Sequence, residues 1–259
     1  DNNVGRCLGL DHDTTLSVNR CQFTNHEDPG SGNKGVIVFD GGTNSNVVTI
    51  ANCLFSNIGT KDTATRIVAS IDNASSKIEH CTIAKRNTSV SSARAPTYLF
   101  DIGRSIFQYN IVYQFDVTQP PSNGATINGN ANAIVQYNSY GSTNSTWSGS
   151  VGPLNGGGTE TGNVLLTADP GFIDYTGNNY RLTSAARSLA IDCSSGSTQT
   201  VDITNTSRLE LDRLAYNSGL NDNGCYESSF WTPTTNEQAD PGDFIIRTIP
   251  NANRSHNRL

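Results

Sequence analysis

The densest group of chemically active side chains in the sequence is Asp11-His12-Asp13, which precedes the first strand-like segment. Carboxylate oxygens and imidazole nitrogens are metal ligands, and Ca²⁺ prefers oxygen. Neighbouring residues of an extended chain point to opposite sides, so only Asp11 and Asp13 could converge on one ion. A solvated turn explains the same residues and is the interpretation we favour. Ca²⁺ at Asp11 and Asp13 stays open as the alternative, and no other cofactor is predicted.

A second group that could do chemistry consists of aromatic side chains near a polar loop. Tyr137 precedes the loop at 141–163, which is rich in Gly, Ser, Asn and Thr, and Trp147 lies within it. Sugars are commonly held by stacking on exposed aromatic faces and by hydrogen bonds from neighbouring polar groups. We therefore predict carbohydrate contact at Trp147 and Tyr137, with Trp147 as the better surface candidate. The alternative is that these side chains only anchor the loop.

An internal repeat indicates the elements that must position these residues. Its pattern is an apolar residue, a small residue three places later and a large apolar residue two places after that. The pattern occurs at 18–23, 50–55, 78–83, 102–107 and 135–140. The small residues at 21, 53, 81, 105 and 138 give spacings of 32, 28, 24 and 33. Periods of roughly 20–50 residues are typical of solenoids and arrays.

Each repeat predicts one strand whose small and large residues face the interior. Stacked coils then form two interior rows, Cys21 with Cys53 and Cys81, and Phe23 with Phe55 and Ile83. Further strands are expected at 36–39, 66–71 and 109–115. A β-propeller would need periods of about 40–45 residues, and a β-sandwich would not repeat one pattern five times. The sequence therefore predicts an all-β fold, a right-handed parallel β-helix.

Composition narrows the class of protein. The 259-residue chain is only 15% charged, with a formal net charge of −6. Its few Lys and Arg do not cluster, which argues against a nucleic-acid partner. No run of about 18 apolar residues occurs, so no membrane span is predicted. The six Cys are compatible with an oxidising compartment, and we expect a secreted or cell-surface protein.

Residues 169–227 break the repeat and carry a different set of motifs. These are Asp169-Pro170-Gly171-Phe172, Tyr180-Arg181-Leu182, Ala190-Ile191-Asp192, Arg208 and Asp222-Asn223-Gly224-Cys225-Tyr226-Glu227. Their order resembles the C-terminal end of secreted and surface β-helix proteins of the polymorphic outer-membrane-protein-like and choice-of-anchor groups. The resemblance implies a capping module at 169–227 that follows coils at 1–168, with 228–259 as an extended tail or linker. The coils begin without an N-terminal cap of their own, so we expect that cap to be missing or supplied by something else.

The resemblance also implies structural roles for single residues. Cys193 and Cys225 replace small residues of the pattern, which implies a disulfide between them; two buried thiols are the alternative. Arg208 is expected to pair with Asp192 or Asp202, because an Arg in a compact turn needs carboxylate partners. The apolar residues expected to cover the last coil are Phe172, Tyr180, Leu182 and Ile191.

No complete catalytic set is recognisable in the sequence. The stretch Glu79-His80-Cys81 resembles a short motif of pectate lyases, but Glu79 replaces the Asp of that motif and its Arg partner is missing. We therefore expect a β-helix for adhesion, surface display or glycan binding. One alternative is a polysaccharide lyase or glycoside hydrolase with a groove on the β-helix face. Another is a structural or filament subunit that stacks on another chain through its N-terminal end.

Overall fold

A computed structural model describes residues 3–4, 8–10, 15–28, 37–39, 46–60, 69–86, 100–114, 127–142, 154–166, 169–183, 190, 199–205 and 222–226. The chain divides into two compact units, Asp1–Ser228 and Ser229–Leu259, and all the described residues belong to the first. All the secondary-structure elements in these ranges are β-strands. These ranges contain no helix that could cross a membrane. The predicted all-β class is therefore confirmed.

The strands recur in sets of three, one for each of three ladders, and we call each set a coil. Equivalent strands of successive coils pair in parallel. The first ladder contains β2 (Leu8–Leu10), β6 (Ile37–Phe39), β9 (Ala69–Ser70), β12 (Phe100–Gly103) and the first parts of β15 (Ile127–Gln136) and β17 (Leu154–Thr161). The second ladder contains β3 (Thr15–Asn19), β7 (Val47–Ala51), β10 (Lys77–Glu79), β13 (Ile106–Gln108) and the last parts of β15 and β17. Since β15 and β17 run through both ladders, the two form one 10-stranded sheet.

The remaining strands form a second parallel sheet and one hairpin. The third ladder contains β4 (Gln22–Thr24), β8 (Leu54–Thr60), β11 (Thr82–Arg86), β14 (Ile111–Gln114), β16 (Ser139–Ser142) and β18 (Val164–Leu166). At its edge, β1 (Asn3–Val4) pairs with β5 (His26–Asp28), and β5 pairs with β8. β19 (Phe172–Asp174) and β20 (Asn179–Leu182) form an antiparallel pair.

The pairing register places like residues over one another in the interior. One row of the second ladder is Val18, Ile50, Ile78, Phe107, Val135 and Glu160. One row of the third ladder is Phe23, Phe55, Ile83, Val112, Tyr140 and Leu165. The Phe23 and Phe55 rings stack at 4.9 Å, nearly parallel. Most members of these rows are buried in one apolar cluster, which forms the core between the ladders.

Each predicted six-residue strand is in fact two strands joined at a corner, which corrects the sequence interpretation. A second-ladder strand ends, one residue turns with positive φ, and a third-ladder strand begins two residues later. The corner residues are Arg20, Asn52, His80, Tyr109, Tyr137 and Gly162, with φ between 50° and 61°. The N–H of Arg20 donates to the carbonyl of Ala51 in the next coil. The following corner residues up to Tyr137 repeat this bond, which holds the left-handed turns in place.

The fourth repeat lies later in the chain than its predicted position at 102–107. Phe107, rather than Ile102, pairs with Ile78. The residue equivalent to Cys81 is Asn110, whose Oδ1 accepts the Cys81 N–H at 2.8 Å. Consequently the strand predicted at 109–115 is β14, in the third ladder. The segment at 102–107 fits the same spacing, because Ile102 and Phe107 are both interior residues, and this coincidence hid the true register.

Three cysteines and three asparagines form a single row of equivalent residues just after the corners. Cys21 and Cys53 each accept, through the carbonyl, the N–H that opens the next third-ladder strand. After Cys81 the row continues with Asn110, Asn138 and Asn163. The Asn138 Oδ1 accepts the Asn110 N–H at 2.9 Å, and the Asn138 Nδ2 donates to the Phe107 carbonyl at 3.0 Å. Buried polar groups are tolerated when bonded in this way.

Several of the described residues that follow the coils pack on the outer face of the third ladder. The Phe172 ring meets the Tyr113 ring at 6.3 Å, edge to face. One apolar cluster joins ladder and later residues: Leu54, Ala84, Ile111, Tyr113, Leu166, Phe172, Tyr180, Leu182, Ala190 and Cys225. Phe172, Tyr180 and Leu182 thus pack sideways against several coils, whereas the sequence analysis placed them over the last one. The apolar outer row of the ladder explains this packing. Ile191 lies outside the described residues.

Candidate functional site

A connected row of polar side chains follows the outer face of the second ladder. Gln136 Nε2 donates to Gln108 Oε1 at 2.9 Å, and Gln108 Nε2 donates to Glu79 Oε2 at 2.8 Å. These three residues are equivalent in register, so the backbone pairing repeats them at the strand spacing of about 4.8 Å. Both glutamines are half-buried.

Gln199, from the chain that follows the coils, extends the row toward the first coil. Its Nε2 donates to Glu79 Oε1 at 2.7 Å, and its Oε1 accepts from Asn52 Nδ2 at 3.0 Å. Asn52 Nδ2 also donates to Asn19 Oδ1 at 3.1 Å. We refer to the whole set as the amide row; its members are Asn19, Asn52, Glu79, Gln108, Gln136 and Gln199.

Glu79 is the centre of the amide row and is fully buried. Besides the two glutamine donors, Lys77 Nζ lies 3.2 Å from Oε1. A buried carboxylate persists only when paired and hydrogen-bonded, and Glu79 meets both conditions. The Lys77 side chain remains 27% exposed. This arrangement orders the face of the ladder and leaves Lys77 and the glutamines at the surface.

Aromatic residues form a separate stack at the corners. The rings of His80 and Tyr109 lie 5.1 Å apart, and those of Tyr109 and Tyr137 lie 5.9 Å apart. A Cβ on Gly162 would come within 2.5 Å of Tyr137 Cδ1, so the next corner packs closely against one side of that ring. Burial, with smaller effects of Tyr137 and Glu79, raises the pKa of Tyr109. Tyr109 covers one face of the half-buried Tyr137 ring, so the predicted sugar contact at Tyr137 could use only the part of the ring that stays exposed.

The stretch that resembled a lyase motif divides its side chains among several environments. Glu79 joins the amide row, while His80 is buried at the corner with Nδ1 3.1 Å from the Asp222 carbonyl. That nitrogen must carry the proton, because a carbonyl only accepts. Cys81 is buried in the interior, and Thr82 Oγ1 accepts the Cys225 N–H at 3.0 Å. The geometry does not present these four groups to one substrate.

The interior cysteines are thiols bonded to backbone carbonyls. Cys53 Sγ donates to the Ala51 carbonyl at 3.1 Å, and Cys81 Sγ donates to the Glu79 carbonyl at 3.4 Å. Burial raises the pKa of Cys81 well above its usual value, and the neighbouring Cys81 side chain lowers that of Cys53. Burial also raises the pKa of the half-buried Cys21. These thiols are core residues, and the structure brings all three together at equivalent positions.

Cys225 is likewise a thiol, which corrects the predicted disulfide with Cys193. Its side chain is fully buried in the apolar cluster on the third ladder, and its N–H is held by Thr82. Burial against the coils explains why this position is apolar in character. Cys193 lies outside the described residues.

The other residues singled out from the sequence lie mostly outside the described ranges. Those are Asp11, Asp13, Trp147, Asp192 and Arg208. Asp202 is described and buried, and its Oδ1 accepts the Thr204 N–H at 2.8 Å. Within the part of the chain that is described, no group of three or more His, Cys, Asp or Glu could hold a metal ion.

Neither a protein-family model, nor a curated protein, nor a solved structure matches the chain.

The amide row was not predicted from the sequence, for two reasons. The displaced fourth repeat concealed that Glu79, Gln108 and Gln136 are equivalent; alignment on Asn110 would have revealed them. No sequence pattern indicated that Gln199 belongs to the amide row, because Gln199 and Glu79 are 120 residues apart in the chain.

Proposed function

We propose that the chain is a right-handed parallel β-helix that serves at the cell surface or as a secreted protein. Three parallel ladders that pair equivalent residues of successive coils support the solenoid, with coils such as Asn110 to Asn138 returning after 28 residues. Parallel crossover connections are right-handed in about 98% of cases, which supports the handedness. The resemblance of 169–227 to the polymorphic outer-membrane-protein-like and choice-of-anchor groups supports the location.

The proposed activity is glycan binding, without cleavage, on the outer face of the second ladder. The observation that carries this proposal is the amide row, with half-buried Gln108 and Gln136 beside Lys77. A glutamine amide both donates and accepts, so it matches the hydroxyl groups of sugars. A row that repeats at about 4.8 Å suits an extended polymer better than a compact ligand.

Lyase or hydrolase chemistry is the main competing activity, and it would need an available acid or base on this face. Glu79 is the described carboxylate nearest to the glutamines, and two amides and an ammonium already occupy its oxygens. A general base must reach the proton that it removes. The burial of Glu79 therefore supports binding over cleavage.

Affinity electrophoresis in gels that contain uronate and neutral polysaccharides tests the proposal. We expect retardation of the wild-type chain by at least one polymer, and Gln136→Ala should weaken binding by about three- to tenfold, the value of one hydrogen bond. Asn128→Ala is the matched control, because Asn128 lies on the first ladder, where its Nδ2 donates to Asp101 Oδ1 at 3.1 Å.

Two outcomes would contradict the proposal. Equal retardation of Gln136→Ala and wild type would show that the amide row does not bind the polysaccharide. Release of unsaturated sugars from any polymer would show that the chain is a lyase and does not only bind the polymer.

A structural subunit that stacks on a second copy is a second candidate function. The position of Leu165 favours this function. Leu165 belongs to an interior row, yet its side chain is 38% exposed at the last described coil.

A further inference from the structure

The row of equivalent residues just after the corners has an asparagine half and a cysteine half. In the asparagine half, side chains join successive coils, since the Asn138 Oδ1 accepts the Asn110 N–H and the Asn163 Oδ1 accepts the Asn138 N–H at 3.0 Å. In the cysteine half the side chains offer thiols, which are weak hydrogen-bond donors. The stronger connection that two thiols can form between coils is a covalent one.

Cys21 and Cys53 are stacked on the first two coils of this row. The strands on both sides of each cysteine pair in parallel, and the spacing of paired strands is about 4.8 Å. A disulfide needs Cα atoms roughly 4.4–6.8 Å apart, so this spacing suits one without movement of the strands. The Cys53 Sγ also lies 3.6 Å from the Val18 carbonyl oxygen, which belongs to the coil that holds Cys21. The two thiols are close enough to influence each other's pKa.

Exposure distinguishes this pair from Cys53 and Cys81, which are also neighbours in the row. Cys21 is half-buried, whereas Cys53 and Cys81 are fully buried. An oxidant in solution can therefore reach Cys21, while the other pair has no exposed member. The Cys81 side chain lowers the pKa of Cys53, and burial raises the pKa of Cys81. Because thiol–disulfide exchange requires a thiolate, Cys53 is the better attacking group of the two buried cysteines.

We propose that Cys21 and Cys53 form a redox-active pair, which low-molecular-weight disulfides such as glutathione disulfide oxidise to a disulfide. The Cys21 thiolate attacks one sulfur of the oxidant, whose S–S bond breaks and releases one thiolate. The Cys53 thiolate then attacks the Cys21 Sγ and displaces the other half of the oxidant. The pair gives up two electrons and two protons, and the oxidant takes them up to become two thiols.

The new bond clamps the first coil to the second at the beginning of the row. It closes the loop at 22–52, which restricts the unfolded chain. The midpoint of thermal unfolding should therefore rise by about 5–10 °C. An oxidising compartment, as proposed for this chain, favours the disulfide. The inference goes beyond glycan binding and does not depend on it.

Peptide mapping of the full chain in glutathione redox buffers tests this inference. Free thiols are blocked with N-ethylmaleimide during denaturation, and the chain is then cut with trypsin in the absence of reductant. The positions of Lys and Arg place Cys21, Cys53 and Cys81 on separate peptides, 21–34, 35–61 and 78–85. We expect 21–34 to be linked to 35–61 in the oxidised sample, and 78–85 to carry a blocked thiol.

Two variants separate the steps of the exchange. Cys53→Ala should stop it at the mixed disulfide, with glutathione bound to Cys21. Cys81→Ala is the matched control, because it removes a buried thiol of the same row and should leave the link between 21–34 and 35–61 in place. Wild type and Cys81→Ala should show the same rise in the thermal midpoint on oxidation, whereas Cys53→Ala should show none.

The contrary outcomes are distinct. A link between Cys53 and Cys81, a link from Cys21 to any other cysteine, or thiols that persist at Cys21 and Cys53 in the most oxidising buffer would overturn the pairing. Linkage without a rise in the thermal midpoint would overturn the clamp and leave the exchange chemistry in place. Retardation by polysaccharides is a separate measurement, so a failure of glycan binding would not be confused with any of these results.

Discussion

Two glutamates of the second ladder, Glu79 and Glu160, lie in different surroundings and have different effects on the fold. Glu79 is fully buried on the outer face under Gln199, with donors for both oxygens. Glu160 points inward at the last described coil, where burial outweighs the one amide donor and the one backbone donor and raises its pKa. The first glutamate orders a surface, while the second places charge where the row would otherwise be apolar.

The raised pKa of Glu160 predicts a pH dependence of stability. The folded chain holds this proton more tightly than the unfolded chain, so the contribution is fully present below the unfolded pKa and is lost as pH rises through the folded pKa. Glu160→Gln should therefore match wild type in acid and be the more stable of the two near neutral pH. Urea unfolding of dilute, monomeric protein across this range measures the difference, and a constant offset between the two proteins would contradict the prediction.

At the scale of elements, the corners and the row beside them define the coil. Each corner residue turns the chain in left-handed geometry, and the residue after it enters the cysteine–asparagine row. Asn138 receives bonds from the Asn110 N–H and Nδ2 through one oxygen. Its own Nδ2 donates to the Phe107 carbonyl and to Asn163 Oδ1. The row therefore joins three successive coils where apolar contact alone would permit slippage.

Asn138→Ala should destabilise the fold by about 2–4 kcal/mol, because it leaves two buried donors without their acceptor. Chemical denaturation measures the change. Asn128→Ala, which removes a half-buried amide from the outer face of the first ladder, should cost well under half as much. Similar losses for both variants would show that the row is not a special source of stability.

At the scale of the whole molecule, the first compact unit holds two apolar clusters. One lies between the ladders, and the other joins the outer face of the third ladder to the chain that follows the coils. Tyr113 belongs to the second cluster, under Phe172 and Tyr175, and burial raises its pKa. This lateral covering hides the apolar outer row from solvent.

Phe172→Ala should destabilise the chain by about 3–5 kcal/mol through the cavity that it leaves. It should also lower the pKa of Tyr113 toward its ordinary value, because the cause of the shift is burial. Ultraviolet titration of the tyrosines, compared with Phe172→Leu, measures this second effect. If the tyrosine titration is unchanged while stability falls, Phe172 does not shield Tyr113.

Local pattern alone was enough to predict the all-β class, the parallel stacking of like residues and the apolar core. A one-residue change of register would turn the inward side chains outward, so apolar spacing reports directly on the interior. The corner that divides each repeat into two strands was not predicted. The residue type of a left-handed corner residue such as Tyr109 or His80 does not indicate its backbone conformation. The register of the fourth repeat was not predicted either, because Ile102 to Phe107 fits the same apolar spacing as the true repeat at Phe107 to Val112.

Contacts between distant parts of the chain were decided by the tertiary structure. Gln199 on Glu79, Cys225 against Thr82 and Phe172 on Tyr113 each join residues that no sequence period relates. The outward position of the amide row and the inward position of Glu160 follow from pairing register, which exists only once the coils are stacked. Spacing along the chain specifies which residues share a face, whereas the partners that satisfy those faces depend on the folding of the chain back upon itself.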